Sequence, residues 1–217
     1  MLASELVATV RTALFPLARL HPLPPPGVSR GRAPVLLVHG FLGHADMLRP
    51  LARRLLTEGW TEVIRLGYPS TELGLDDIIA RIDAAAQALG DRPIDLIGHS
   101  LGAVAARAWI RTAGGATRVR RFVSLGGPHA GTSLYRLAPR VIRPALDPRG
   151  PWVKRLAEGP EPVPTWVIRA RYDHQVLPPL RASLAGARET VLEGHGHNGL
   201  LWSRASHDAV IRALTED

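Results

Sequence analysis

Residues 94–102 read Ile-Asp-Leu-Ile-Gly-His-Ser-Leu-Gly, an apolar stretch that runs directly into the pattern Gly-x-Ser-x-Gly. The first four residues are typical of a buried strand, and residues 101–112 carry apolar side chains at helical spacing. A serine between strand and helix, with Gly98 and Gly102 on either side, is the pattern of a nucleophile elbow. Such a turn exposes Ser100 at a helix N-terminus, where free N–H groups can hold an anion. The alternative is an ordinary serine N-cap after a glycine turn.

Length and composition are those of one globular domain. The 217 residues can bury a substantial core, and 46% hydrophobic with 21% charged residues is ordinary for a folded protein. The formal charge of +8 comes almost wholly from arginine, since Lys154 is the single lysine. The arginines are dispersed without interleaved aromatic residues, so no nucleic-acid partner is expected. The chain has no cysteine, which excludes disulfide bonds and a cysteine nucleophile.

Residues 1–32 are interpreted as a segment separate from the main domain, which covers residues 33–217. An amphipathic helix is predicted from apolar residues at roughly helical spacing, namely Leu2, Leu6, Val10, Leu14 and Leu17. A proline-rich linker, His21–Gly27, follows it. The helix either packs on the domain or makes a peripheral contact with a lipid surface or a second subunit. Neither an 18-residue apolar run nor a signal-peptide pattern is found, which favours the cytoplasm and leaves secretion open.

Strands and helices alternate from Ala33 onward, and this order predicts an α/β fold whose mainly parallel sheet has helices on both faces. The predicted strands are 35–38, 62–66, 94–97, 119–125, 165–170 and 189–192. The predicted helices are 47–58, 75–89, 101–112 and 200–214. The continuous apolar run Val35–Val38 is typical of a parallel strand that is covered on both faces.

One long segment, residues 131–164, breaks this alternation. It contains seven prolines and no predicted strand, and short helices are predicted at Leu134–Ile142 and Trp152–Ala157. Long connections of this kind are usually functional or mobile. We therefore interpret residues 131–164 as a small cap over the site. The alternative is a surface excursion with no role in substrate access.

A serine nucleophile needs a base, and the base needs a carboxylate that orients it. Asp173 follows the fifth predicted strand, and His197 follows the sixth in the loop Gly-His-Gly-His-Asn-Gly. Both strand ends lie at the same sheet edge as the elbow, so Ser100, Asp173 and His197 are the predicted catalytic residues. His195 in the same loop is the alternative base. A His-x-His pair without a third ligand does not predict a metal site, and no cofactor is expected.

An oxyanion that forms during acyl transfer needs two hydrogen-bond donors. One is the backbone N–H of Leu101, directly after the serine. The loop after the strand Val35–Val38 reads His-Gly-Phe-Leu-Gly, and its Gly40 lets the backbone approach the substrate. We therefore predict the N–H of Phe41 as the second donor. A tight turn without this role is the alternative interpretation of the loop.

Four motifs together resemble small bacterial lipases and esterases of the α/β-hydrolase superfamily. They are the strand and loop 35–41, the elbow 95–102, the segment 123–132 and the histidine loop 196–201. The resemblance covers residues 33–215 and implies the α/β-hydrolase fold, the same triad and the same oxyanion donors. We further predict that Leu42, His99 and His129 contact the substrate. The chain is short, its cap is small and no calcium site is evident, so short or medium acyl chains are expected.

These features predict a serine carboxylic-ester hydrolase, an esterase or lipase, that cleaves a small acyl ester or a lipid through an acyl-enzyme intermediate. The motifs do not separate esters from thioesters or phospholipids. A thioesterase or a phospholipid or lysophospholipid deacylase is therefore the alternative. A non-catalytic binding module on a hydrolase fold is a third hypothesis, which would require a broken triad. The sequence indicates no oligomeric state.

Overall fold

A parallel sheet forms the centre of the structure, a computed structural model that describes residues 2–13, 23–24 and 31–216. Within these ranges the strands are β1 (Val35–Val38), β2 (Val63–Leu66), β3 (Ile94–His99), β4 (Val119–Leu125), β5 (Thr165–Ala170) and β6 (Arg188–Leu192). Their order in the sheet is β2-β1-β3-β4-β5-β6, and every neighbouring pair is parallel.

Helices cover both faces of this sheet. They are α1 (Leu2–Ala13), α2 (Arg49–Thr57), α3 (Leu75–Ala88), α4 (Leu101–Thr112), α5 (Arg143–Leu146), α6 (Pro151–Leu156), α7 (Gly199–Trp202) and α8 (Arg204–Thr215). The buried cluster on one face joins the sheet to α3 and α4, and the cluster on the other face joins it to α2 and α8. The predicted α/β architecture is confirmed.

Strand β1 shows why its sequence is continuously apolar. Leu36 and Val38 belong to the buried cluster of α3 and α4, whereas Val35 and Leu37 belong to the cluster of α2 and α8. Successive side chains of a strand point to opposite faces, so a strand covered on both sides must be apolar at every position.

The sheet order reverses beside β1, because β2 lies on one side of it and β3 on the other. In open parallel sheets, the crevice outside the carboxyl ends of the strands at such a switch point is where ligands bind. The loops that follow β1 and β3 begin at His39 and Ser100, and both therefore lie at this crevice.

Two predicted helices are wrong in detail. The helix predicted at Leu134–Ile142 is only a short 3-10 turn, Tyr135–Leu137, because Ala138 precedes Pro139 and adopts an extended backbone (ψ 154°). The closing helix predicted as one piece is two helices, α7 and α8, separated at Ser203. Ser203 is extended (ψ 140°), and its hydroxyl accepts a hydrogen bond from the N–H of Ser206 at 3.0 Å, which caps α8. The other predicted strands and long helices agree with the structure to within about two residues.

The predicted N-terminal helix is present as α1, and it packs against α7. Leu14, Leu17 and most of the proline-rich segment lie outside the described residues. Leu6, Val7 and Val10 are 65%, 50% and 47% exposed, so the lipid or subunit contact of this helix stays a prediction. Within the described ranges, no helix combines the length and the apolar character needed to cross a bilayer.

The segment 131–164 packs on the outside of α3 and α4. Its buried side chains Ile142, Ala145, Leu146 and Leu156 belong to the same cluster as these helices. The guanidinium of Arg107 on α4 donates to the Leu156 carbonyl at 2.6 Å and to the Glu161 carboxylate at 2.5 Å. Both side chains of this ion pair are buried, at 5% and 8% exposure. The segment is therefore fastened to α4 by a buried charge pair.

We expect Glu161→Gln to lower the free energy of unfolding by about 3 kcal/mol, because Arg107 would stay charged and buried without a counter-charge. Urea denaturation at pH 7 measures the loss. Glu62→Gln is the matched control, since Glu62 pairs with Arg92 at the exposed surface and such pairs contribute little to stability. Equal losses in the two variants would contradict the role assigned to burial.

Candidate active site

Ser100 has the backbone of a nucleophile elbow. Its φ is 54° and its ψ is −124°, a backbone conformation that residues other than glycine rarely adopt. The Ser100 N–H donates to the Leu125 carbonyl of β4 at 2.9 Å, and the Ser100 carbonyl accepts from the N–H of Ala103 at 3.0 Å. The end of the sheet and the first turn of α4 therefore hold the serine from both sides.

The two glycines of the motif are required by close packing. A Cβ at Gly98 would lie 2.4 Å from Ala103 Cα, and a Cβ at Gly102 would lie 2.3 Å from the carbonyl oxygen of His39. Neither distance is compatible with a side chain unless the backbone moves. The first turn of α4 consequently lies directly against the end of β1.

Asp173 and His197 form a buried pair. The Nδ1 of His197 donates to Asp173 Oδ2 at 2.7 Å, and Asp173 Oδ1 accepts from the N–H groups of Gln175 and Val176 at 2.8 Å each. Burial raises the pKa of Asp173, but the charge and hydrogen bond of His197 and the two N–H groups outweigh it. Together they hold that pKa below its ordinary value. The carboxylate is therefore ionised at neutral pH, as an orienting group must be.

The second nitrogen of the His197 ring has no such partner. Its Nε2 is buried and makes no hydrogen bond with the described residues. His197 and Ser100 line the same cleft, so a hydroxyl or a bound ligand there would have a proton acceptor close by. A buried nitrogen without a partner is uncommon in folded proteins and is often found at functional positions.

The cleft has a volume of about 180 Å³ and lies at the switch point of the sheet. Its lining, as far as the chain is described, carries no Asp, Glu, Lys or Arg and consists of His39, Gly40, Phe41, Leu42, Gly43, Met47, His99, Ser100, Gln175, His197, Asn198 and Leu201. Leu42 is 70% exposed and has a φ of 55° in a turn closed by the hydrogen bond from the Gly43 N–H to the Gly40 carbonyl. The loop therefore presents an apolar side chain at the mouth.

Tyr68 anchors the loop that follows β1. Its ring stacks on His39 with centroids 4.1 Å apart, its N–H donates to His39 Nε2 at 3.4 Å, and its hydroxyl donates to the His39 carbonyl. Burial lowers the pKa of His39 to about 4. Burial and the charge of His197 lower the pKa of His99 to about 3. Both rings are neutral at pH 7 and add no positive charge to the cleft.

The predicted site residues do not all come together. Phe41, Leu42, His99, Ser100 and His197 line the cleft. His129 is not among the described residues that line it. Its Nε2 and the hydroxyl of Ser124 form a 2.7 Å hydrogen bond inside the core.

The contact of His129 with substrate stays a prediction. The alternative base, His195, is absent from the described lining as well, and its Nδ1 donates to the Glu193 carbonyl at 2.6 Å. The cap prediction for residues 131–164 also stays open, because the described lining includes none of them.

Sequence reasoning missed four residues of the lining and one residue that supports it. Met47, Gln175, Asn198 and Leu201 line the cleft, and Tyr68 holds His39. Asn198 and Gln175 lie within two residues of His197 and Asp173, so nearness in the chain was the one signal for them. Among the described residues, no group of three His, Cys, Asp or Glu side chains could hold a metal ion.

A parallel sheet with a serine elbow after β3, a carboxylate after β5 and a histidine after β6 is the arrangement of an α/β hydrolase. A family model described as palmitoyl protein thioesterase matches residues 34–159, more than half of the chain. The chain belongs to the palmitoyl protein thioesterase family. The matched region contains Ser100 and the loop after β1, and it ends before Asp173 and His197.

Solved structures share the fold over most of their length. The mature form of Bacillus licheniformis lipase BlEst2 has a TM-score of 0.74 at 15% identity, over 88% of this chain and 96% of that one. A Paleococcus ferrophilus monoacylglycerol lipase has a TM-score of 0.67 at 17% identity, over 87% and 96%. The thioesterase domain from the Curacin biosynthetic pathway has a TM-score of 0.62 at 15% identity, over 88% and 93%. The predicted α/β-hydrolase fold is confirmed.

We expect Gly102→Ala to lower the free energy of unfolding by about 3 kcal/mol, because the new methyl group would push α4 away from β1. Alanine is otherwise favoured over glycine inside a helix by about 1 kcal/mol, so a loss would report the clash. Gly67→Ala is the control, since a Cβ there would meet Ala45 Cβ at an ordinary 3.8 Å. Urea denaturation measures the free energy of unfolding of both variants. An unchanged value for Gly102→Ala would show that the elbow can accommodate a methyl group at this position.

Proposed function

We propose that the protein is a serine hydrolase that cleaves carboxylic acyl esters through Ser100. The observation that carries this proposal is the 2.7 Å hydrogen bond between His197 Nδ1 and Asp173 Oδ2, beside a cleft that Ser100 also lines. This bond keeps the proton on Nδ1, so that Nε2 is the basic nitrogen. The strained backbone of Ser100 supports the same role, because strain of this kind is concentrated at functional sites.

In the first half of the proposed reaction, the hydroxyl oxygen of Ser100 attacks the acyl carbonyl carbon while His197 Nε2 takes the hydroxyl proton. Asp173 stabilises the imidazolium that results. The N–H groups of Leu101 and Phe41 bind the oxyanion. Leu101 is the first residue of α4, where N–H groups lack acceptors within the helix. A Cβ at Gly40 would lie only 2.8 Å from Ser100 Cβ, which supports a donor loop in contact with the elbow.

The tetrahedral intermediate then collapses. The bond from the carbonyl carbon to the leaving oxygen breaks, and His197 gives its proton to the departing alcohol. In the second half, water attacks the acyl carbon while His197 Nε2 takes a proton from it. The bond from the acyl carbon to the Ser100 oxygen then breaks, His197 returns the proton to that oxygen, and the carboxylic acid leaves. No cofactor is needed in this sequence.

The lining supports a neutral acyl group as substrate. Phe41, Leu42, Met47 and Leu201 offer apolar surface, and the described lining has no permanent charge that would bind a phosphate. A charged headgroup would therefore lie outside the cleft. The limited cleft supports the expectation of short or medium acyl chains.

A thioesterase is the second candidate, and the family match favours it. The same triad serves a thioester, whose leaving thiolate is a weaker base than an alkoxide and depends less on protonation by His197. The geometry of the cleft does not distinguish the two leaving groups, so the matched pair of substrates below does.

We expect initial rates on p-nitrophenyl esters from acetate to palmitate to peak at short or middle chain lengths. Ser100→Ala should lower kcat at least about 10⁴-fold, because removal of the nucleophile leaves only oxyanion binding and substrate binding. The matched control is Ser133→Ala, an exposed serine outside the described lining, which should keep the parental kcat. Near-normal activity of the Ser100→Ala protein would show that another residue is the nucleophile.

S-Ethyl thiooctanoate and ethyl octanoate compare a thioester with an oxyester that has the same acyl group and the same alkyl substituent on the leaving atom. A higher kcat/KM for the thioester would identify a thioesterase, and the reverse an esterase. Turnover of neither, together with failure of a fluorophosphonate probe to label Ser100, would contradict the proposal and favour a non-catalytic binding module.

A further inference from the structure

Helix α1 lies against the loop that carries His197. The Glu5 side chain is only 13% exposed, and its two carboxylate oxygens accept from two consecutive backbone N–H groups. Oε1 accepts from Asn198 N–H at 2.9 Å, and Oε2 accepts from Gly199 N–H at 3.1 Å. These are the first two peptide groups after His197. One carboxylate from the start of the chain therefore fixes the backbone directly behind the histidine.

The same carboxylate also reaches the loop that carries Asp173. The Nδ1 of His174 lies 3.7 Å from Glu5 Oε1, and His174 is the residue after Asp173. Glu5 thus lies between the two loops whose side chains form the Asp173–His197 hydrogen bond.

Thr9 adds a second contact one turn further along α1. Its hydroxyl accepts from the Asn198 side-chain amide at 3.2 Å. Residues four apart share a helix face, so Glu5 and Thr9 contact the same loop.

The loop packs so closely on Glu5 that a side chain at Gly196 would displace the carboxyl group. A Cβ at Gly196 would lie 2.5 Å from the carboxyl carbon of Glu5. The backbone before His197 therefore packs on the carboxyl group, and the backbone after it donates hydrogen bonds to that group. Two partly buried N–H groups would be left without acceptors if Glu5 were removed.

We propose that Glu5 is a positioning residue for His197. It does not line the cleft or touch the reacting atoms, and it acts through hydrogen bonds to the two peptide groups after the histidine and through packing against Gly196 before it. The inference rests on the proposed function, since it takes His197 to be the base. Catalytic geometry is sensitive, and a misplacement of about 1 Å can lower a rate about 100-fold. Helix α1 is thus part of the machinery although it lies outside the main domain.

Glu5→Gln tests the proposal on the intact chain. A glutamine accepts through one oxygen only, and its NH₂ group would face the second N–H donor. We expect kcat on p-nitrophenyl esters to fall about tenfold, with KM unchanged within about twofold, because the side chain lies outside the cleft lining. The matched control is Glu158→Gln, an exposed carboxylate outside the described lining of the cleft. An unchanged kcat in Glu5→Gln would overturn the proposal.

A double-mutant cycle separates positioning from simple loss of stability. Gly196→Ala should lower kcat in the parent, because its methyl group collides with Glu5. In the Glu5→Ala background the same substitution should have little further effect, since the collision partner is gone. Additive losses in kcat would mean that the two residues act independently, and the proposal would be wrong. Thr9→Ala is the substitute variant if Glu5→Gln does not fold. It removes one neutral hydrogen bond to the same loop and should lower kcat a few-fold.

Amide hydrogen exchange tests the contact without any activity. We expect the N–H groups of Asn198 and Gly199 to exchange at least about tenfold faster in Glu5→Gln, with the amides of β3 unchanged. Unchanged exchange at both positions would overturn the proposal. If the parent hydrolyses no ester or thioester, the proposed function fails, whereas the exchange result still reports whether Glu5 orders the histidine loop.

Discussion

The site depends on how closely the first turn of α4 lies against the end of β1. Gly102 leaves no space for a Cβ beside the His39 carbonyl, and Gly40 leaves none beside Ser100. Because β1 and β3 are neighbours where the sheet order reverses, this contact brings the loop after β1 to the elbow after β3. One steric constraint thereby joins the proposed oxyanion donors to the proposed nucleophile. Tyr68 then fixes the loop from its other side through the His39 ring and carbonyl.

Electrostatics in the cleft follow from burial. His39 and His99 have lowered pKa values because they are desolvated, so neither competes with His197 for the negative charge of Asp173. The Asp173 carboxylate keeps a lowered pKa in spite of burial because two N–H groups and His197 surround it. In the proposed mechanism, Asp173 is therefore the one counter-charge for the protonated His197 ring among the described residues that line the cleft or hydrogen-bond to this ring. The described lining otherwise has no permanent charge, which suits a neutral acyl group.

The parts of this structure that sequence reasoning predicted are those set by local patterns. Continuous apolar runs mark the doubly covered strands, and the glycines around Ser100 mark the elbow, because strand burial and tight turns act on neighbouring residues. The hydrogen bond from the Tyr68 hydroxyl to the His39 carbonyl joins residues that are far apart in the chain, so no local sequence pattern predicts it. His129 was predicted at the substrate; in the structure it forms a hydrogen bond with Ser124 in the core, and its contact with substrate stays a prediction. The helix predicted at residues 134–142 was wrong because Pro139 restricts the residue before it, a local effect that the sequence does contain.

The residues of the candidate site come from separate parts of the chain, and α1 contacts one of these parts. The region matched by the family model contains Ser100 and the loop after β1, and it ends before Asp173 and His197. Asp173 and His197 lie on the loops that follow β5 and β6, the last two strands of the sheet. A histidine loop rich in glycine has few side chains to hold its own shape. Glu5 and Thr9 add three hydrogen bonds to this loop from α1, which is the structural basis for the positioning role proposed for Glu5.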